Sequence, residues 1–291
     1  MATHRAIPTD TVGSVPSGNG QPHHSGLDVE FAQISDLGRV RGHNEDFLGC
    51  FLPKTPSQAH THGWLFAVAD GVGGHDKGEV ASRLAIETLL AGFPDAMGGE
   101  PHPSLLQRLI QNANLRVYET GRADTPGGTA MATTLVACAL RYDRAAIAHV
   151  GDSRCYLVRS GNATPLTRDH TVVNDQVRLG ILSAREAAES DRRHLLSRSL
   201  GNDLFVGVET SEHQILAGDV LVLCSDGLHG SLQPSDIAGL VTPRAGLEEA
   251  AARLVALANE RDGNDNISVQ LIRVRAVERV GMYRGRPYRL R

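Results

Sequence analysis

Two apolar runs that each stop on an acid–glycine step constrain this chain more than any other feature. The first reads Leu65-Phe66-Ala67-Val68-Ala69 and ends Asp70-Gly71-Val72-Gly73-Gly74. The second reads Val220-Leu221-Val222-Leu223-Cys224-Ser225 and ends Asp226-Gly227. A buried strand that ends in a carboxylate, then turns on glycine, holds an anionic oxygen on a rigid support. Hard divalent cations such as Mg²⁺ and Mn²⁺ are bound by oxygens held in this way. One such step alone is an ordinary hairpin turn. Here three more acidic segments stand at strand ends. Arg41-Gly42-His43-Asn44-Glu45-Asp46 follows the first strand, Val150-Gly151-Asp152-Ser153-Arg154 is a tight strand-to-strand turn, and Asn264-Asp265-Asn266 precedes the last strand. Like charges brought together need cations to compensate them.

The segments between these acids set the fold class. Val29 to Ser35 alternates as a strand, and strands cluster at 133–140, 145–150, 154–159 and 163–166, with turns at 141–144 and 160–162. Further strands are expected at 205–215, 219–224 and 267–274. Helical spacing predicts helices over 77–93 and 104–118, the second capped by Ser104, and over 234–240 and 247–260. Shorter helical pieces fit 172–179 and 184–189. Hairpin-joined strands set apart from helix pairs argue for an α+β fold with antiparallel sheets rather than a doubly wound parallel one.

The ends of the chain differ from its middle. Residues 1–26 are rich in Gly, Pro, Ser, Thr and His and carry too little apolar surface to offset the entropy of ordering, so they read as a disordered leader. His4, His23 and His24 are scattered within it as solvated residues. Residues 276–291 carry Arg279, Arg284, Arg286, Arg289 and Arg291 against Glu278 and read as an exposed basic tail. The folded domain is thus expected over 27–275. A net charge of −4 over 291 residues gives no general attraction to nucleic acid. No apolar run approaches the ~20 residues of a membrane helix, and the start of the chain lacks a signal-peptide core. Cys50, Cys138, Cys155 and Cys224 form no CxxC pair and fit buried, reduced thiols in a cytoplasmic protein.

Taken in order, the motifs resemble the metal-dependent protein phosphatases of the PPM family, the type 2C serine/threonine phosphatases, and their bacterial branch in particular. The matching segments are Ser35-Asp36-Leu37-Gly38-Arg39-Val40-Arg41 with Asn44-Glu45-Asp46, Ala69 to Gly74 with Gly78-Glu79-Val80-Ala81-Ser82, and Thr133-Thr134-Leu135. They continue through His149 to Arg154, Leu166 to His170, Leu196 to Gly201, Cys224 to Leu228 and Asp265 to Val269. The match spans nearly the whole chain between the tails. The resemblance implies a four-layer α/β/β/α sandwich, two central antiparallel sheets flanked by helix pairs. It implies two Mn²⁺ or Mg²⁺ ions across a shared water, and a third ion in bacterial members. Carried over by motif, Asp70 bridges the first two ions, Gly71 offers its carbonyl, and Asp226 and Asp265 complete the second. Glu45 or Asp46 holds metal-bound waters, Asp152 with Asp226 forms the third site, and Arg41 grips the substrate phosphate. The implied reaction is hydrolysis of phosphoserine or phosphothreonine on proteins with no phosphoenzyme, by a monomer that opposes a Ser/Thr kinase.

The chain departs from the family pattern at two points. Val72 stands where eukaryotic members place a general-acid histidine, which makes nearby His75 a candidate donor. Ala132 replaces a usual glycine and is expected to restrict its turn slightly. Residues 170–198 match the family's flap, with Asp175, Arg178, Arg185, Glu186, Glu189, Asp191, Arg192 and Arg193 on it. Two other readings compete. Cys138 and Arg144 have the Cys-x5-Arg spacing of thiol phosphatases, but no glycine lies between them to cradle a phosphate. A catalytically silent phosphoprotein-binding regulator of the same fold is the other, and the complete acidic set argues against it.

Overall fold

A strand with apolar residues at every position needs cover on both faces, because successive side chains point to opposite sides. The computed structural model, which describes residues 26–72, 77–123, 131–242, 245–283 and 286–289, meets that demand with four layers. In β3 (Trp64–Val72), Leu65, Ala67 and Ala69 face a helical layer, while Phe66 and Val68 face the other sheet. In β10 (Val220–Cys224), Val220, Val222 and Cys224 face helices, and Leu221 and Leu223 face inward.

The first sheet runs in the order β2 (Asp46–Phe51), β3, β5 (Leu135–Arg141), β6 (Arg144–Val150), β9 (Glu209–Gln214), with β4 (Ala132–Thr133) paired to the end of β3. The second runs β1 (Asp28–Asp36), β11 (Ile267–Ala276), β10, β7 (Arg154–Arg159), β8 (Asn162–Pro165). Every pairing in both is antiparallel. Helices α2 (Lys77–Gly92) and α3 (His102–Ala123) cover the first sheet with residues such as Ile86, Leu89, Leu106 and Ile110. Helices α7 (Pro234–Leu240) and α8 (Leu247–Arg261) cover the second with Ile237, Leu247 and Leu254. The α+β sandwich implied by the resemblance is the observed fold.

Short elements complete the chain: α1 (Pro56–Thr61), α4 (Val172–Arg178), α5 (Ala184–Glu189), α6 (Asp226–His229), and a hairpin of β12 (Val280–Tyr283) and β13 (Arg286–Arg289). The basic C-terminal segment is thus paired as two strands where described. The leader up to residue 25, His75, Arg284 and Arg291 lie outside the described residues. Among those described, no helix is long and apolar enough to cross a membrane.

Three expectations shift. Helix α3 begins at His102 rather than Ser104, because the Pro101 carbonyl already accepts from Leu105 N–H at 3.0 Å, so Ser104 caps nothing. The strand expected over 205–215 shortens to β9, since the backbone at Leu204 and Val206 bonds to the Gln111 and Asn114 side chains of α3. Ala132 lies in extended β4 and has no positive φ, so the missing glycine restricts nothing.

Candidate metal centre

The acids predicted from sequence come together at one end of the sandwich, where strands of both sheets stop. The antiparallel register of β2 and β3 sets Asp46 opposite Asp70. On the second sheet, β10 stops at Cys224 and Asp226 opens α6, while Asp265 stands two residues before β11. Ser225 ties the two sheets together. Its Oγ accepts from Ser268 N–H at 3.0 Å and donates to Asp46 Oδ2 at 2.7 Å.

Backbone around the acids is fixed by residues far away in sequence. Asp70 N–H donates to Thr134 Oγ1 at 3.0 Å, and its carbonyl accepts from Thr134 N–H and Thr133 Oγ1, both at 2.8 Å. A threonine hydroxyl here replaces a ladder carbonyl, so β4 and β5 are interrupted beside the acid. The Glu45 carbonyl accepts from Ser82 Oγ at 2.6 Å and from Gly71 N–H at 3.1 Å. Asn266 accepts from Glu45 N–H at 2.8 Å and donates to the Leu37 and His43 carbonyls, each at 3.0 Å. Gly71 sits so close to α2 that a Cβ would overlap the Gly78 carbonyl.

Burial and mutual repulsion dominate the electrostatics. Burial, then the charges of Asp226 and Asp265, raises Asp46 to about 7 against the hydrogen bonds from Ser225 and Ser268. Asp70 is held well above the usual carboxylate range by burial and by Asp46, Asp226, Asp152 and Asp265. Asp226 is raised by burial and Asp265, and a hydrogen bond from Asp70 partly offsets this. Asp152, in the β6–β7 turn, is pushed to about 8 by burial and Asp226. Among the described residues, Asp46 Oδ1 is buried with no hydrogen-bond partner. An all-oxygen set that resists ionisation, with one orphaned carboxylate oxygen, fits hard divalent cations.

Arg41, on the loop between β1 and β2, is half exposed and donates from Nη2 to Asp265 Oδ2 at 2.7 Å. A guanidinium has five N–H donors, so this bond leaves others for a ligand. Sequence reasoning gave no role to several residues here. Ser225, Thr134 and Asn266 belong to the quoted motifs, but serine, threonine and asparagine announce no metal chemistry. His194, on the exposed turn before Leu195, lies close enough to influence Asp226 electrostatically, in the direction that favours the ionised carboxylate. The competing Cys138 lies fully buried between the sheets, and burial pushes its thiol far up, which keeps it inert.

Comparison with known proteins agrees with this geometry. The family profile for Protein phosphatase 2C matches residues 43–271. A serine/threonine phosphatase of Listeria innocua is 35% identical over 257 residues, covering 87% of this chain and 96% of that relative. The solved serine/threonine phosphatase of S. agalactiae superposes with a TM-score of 0.77 at 34% identity, covering 85% of this chain and 100% of that one. The catalytic domain of the phosphatase PstP, solved in complex with two manganese ions, gives 0.70 at 33% identity, covering 85% and 99%. The chain belongs to the protein phosphatase 2C family and is a protein serine/threonine phosphatase of that class.

Proposed function

We propose that the enzyme removes phosphate from phosphoserine and phosphothreonine on proteins with two bound Mn²⁺ or Mg²⁺ ions, and a third at Asp152. The observation that carries this reading is the convergence of Asp46, Asp70, Asp152, Asp226 and Asp265 from both sheets into one all-oxygen set. Asp70 would bridge two ions, Gly71 would contribute its carbonyl, and Asp226 and Asp265 would complete the second. Asp152 with Asp226 would hold the third, and Glu45 or Asp46 would act through water. When bound, such cations acidify a shared water and neutralise phosphoryl charge. Arg41, half exposed and bonded to Asp265, would orient the phosphate through its remaining N–H donors. On this reading the aspartates are engaged as metal ligands, and neither the Cys138 thiol nor the Ser225 hydroxyl is available as a nucleophile. Cys138 is buried away from the acids, and the Ser225 hydroxyl is committed to Asp46 and Ser268. With water activated by the cations as the attacking group, hydrolysis would need no phosphoenzyme.

The reading places the protein in the cytoplasm as a monomer, opposing a serine/threonine kinase. Its test is release of phosphate from a phosphothreonine peptide with and without Mn²⁺, using Asp226→Ala as control. Loss of a ligand should cost more than the 10–100-fold typical of outer-shell changes. A variant as active as the parent refutes the ligand assignment. Tight peptide binding without phosphate release at any Mn²⁺ concentration would establish a silent binding regulator instead.

A further inference from the structure

Behind the Asp152 turn lies a polar cluster that the acidic site does not use. His149, His170 and Glu209 bring ligand-type atoms within 4.8 Å of one another. Their hydrogen bonds exclude a cation there. A carbonyl only accepts, so His149 Nε2 carries a proton and donates to Arg168 O at 2.8 Å. His170 Nδ1 accepts from Gly151 N–H at 3.2 Å, which leaves Nε2–H to donate to Glu209 Oε2 at 3.3 Å. The same carboxylate oxygen takes Arg168 Nη2 at 3.0 Å. The two rings are stacked at 4.6 Å and 15°, so they do not aim lone pairs at a common point.

The cluster instead grips the peptide that leads into Asp152. His170 closes two bonds on Gly151: the imidazole accepts from its N–H, and His170 N–H donates to its carbonyl at 2.9 Å. Gly151 has a φ of 101°, and a Cβ there would lie 2.6 Å from Thr134 Cγ2, so glycine is required. Glycine is also the residue that resists backbone rotation least. A rotation there would swing the carboxylate that follows. Beyond it, His229 Nε2–H donates to Asp152 O at 2.9 Å and Thr134 Oγ1 bonds Ser153 Oγ at 2.7 Å. The His170 carbonyl accepts from Ser197 N–H at 2.9 Å, so the root of the segment 171–196 is tied to the same residue.

We propose that His170, braced by the His149 ring and Glu209, is a positioning residue that aims the Asp152 carboxylate and so sets the affinity of the Asp152–Asp226 pair for a divalent cation. The proposal rests on the reading of Asp152 as a metal ligand. Ligand orientation is commonly set by such outer contacts, and their loss typically weakens metal binding 10–100-fold.

The test compares His170→Asn with His170→Gln in the full chain, without substrate. Asparagine places an acceptor oxygen near the position of Nδ1 and keeps the Gly151 bond. Glutamine reaches Glu209 with its amide but gives up the Gly151 acceptor. Free Mn²⁺ is titrated by electron paramagnetic resonance, and Tm is measured in chelator. Asp152→Ala should remove one class of Mn²⁺ site. The glutamine variant should weaken that class about tenfold, the contribution of one hydrogen bond, and recover kcat at high Mn²⁺. The asparagine variant should stay within about threefold of the parent. If both amides bind Mn²⁺ like the parent and only Tm falls, His170 is merely structural and the proposal is overturned. If Asp152→Ala leaves the isotherm unchanged, the reading of Asp152 fails and the proposal falls with it.

Discussion

Replacing Asp152 by asparagine should make the chelated protein more stable while impairing catalysis. Asp152 is buried, and burial together with the charge of Asp226 moves its carboxyl from 3.8 to about 8. Below about pH 4 the group is protonated in both folded and unfolded chains and costs nothing. As pH rises from there to about 8, the unfolded chain ionises first, so folding loses stability steadily. Above that range the loss is complete. At 1.36 kcal/mol per unit, the span from 3.8 to pH 7 sets a ceiling of about 4 kcal/mol. Relaxation of the neighbouring carboxylates lowers the net effect to roughly 1–3 kcal/mol. Asparagine is neutral throughout and escapes this penalty. In EDTA at pH 7 its Tm should exceed the parent's by roughly 2–10 °C, and at pH 4 the two should coincide. Mn²⁺ should narrow or reverse the gap, because the parent gains more from binding. Thermal melts across pH with and without Mn²⁺ decide the matter. A variant no more stable than the parent at pH 7 in chelator would show that burial and the charge of Asp226 do not raise Asp152.

Arg41→Ala should raise KM for a phosphopeptide at least tenfold, with Arg41→Lys recovering only part, because a point charge does not replace a fork of donors; steady-state kinetics separate the two. Thiol alkylation of the folded protein should leave activity intact while EDTA removes it, since Cys138, Cys155 and Cys224 are buried; inactivation by alkylation alone would revive the thiol mechanism. Gly71→Ala should cost roughly 2 kcal/mol or more and most of the activity, because the new methyl group meets the Gly78 and Glu45 carbonyls; a Tm and rate matching the parent would mean α2 shifts freely.

Strands β3 and β10 were legible because burial on both faces writes an unbroken apolar run into the sequence. The acids were legible because each interrupts or borders such a run. Their supports were not. Thr134 reaches Asp70 across 64 positions and Ser225 reaches Asp46 across 179, through side chains that occur everywhere in proteins. The false strand start at Phe205 has a plain cause. Leu204 and Phe205 are apolar yet exposed, and their segment is held by amide side chains of α3 rather than by a neighbouring strand. His170 read as part of a motif, but its two bonds to Gly151 exist only after β6 and the segment beyond β8 fold back together.

Asp46 and Asp70 ride on one sheet, while Asp226 follows the end of β10 and Asp265 precedes the start of β11 in the other. The spacing of the proposed metal ligands is therefore a property of how far apart two slabs sit, not of any single loop. Overfilling the seam between them, for example by enlarging Ala145 or Cys138, would pry the jaws apart and silence the enzyme without touching a ligand. A small molecule wedged into that seam would inhibit in the same way, and phosphate could not compete it off.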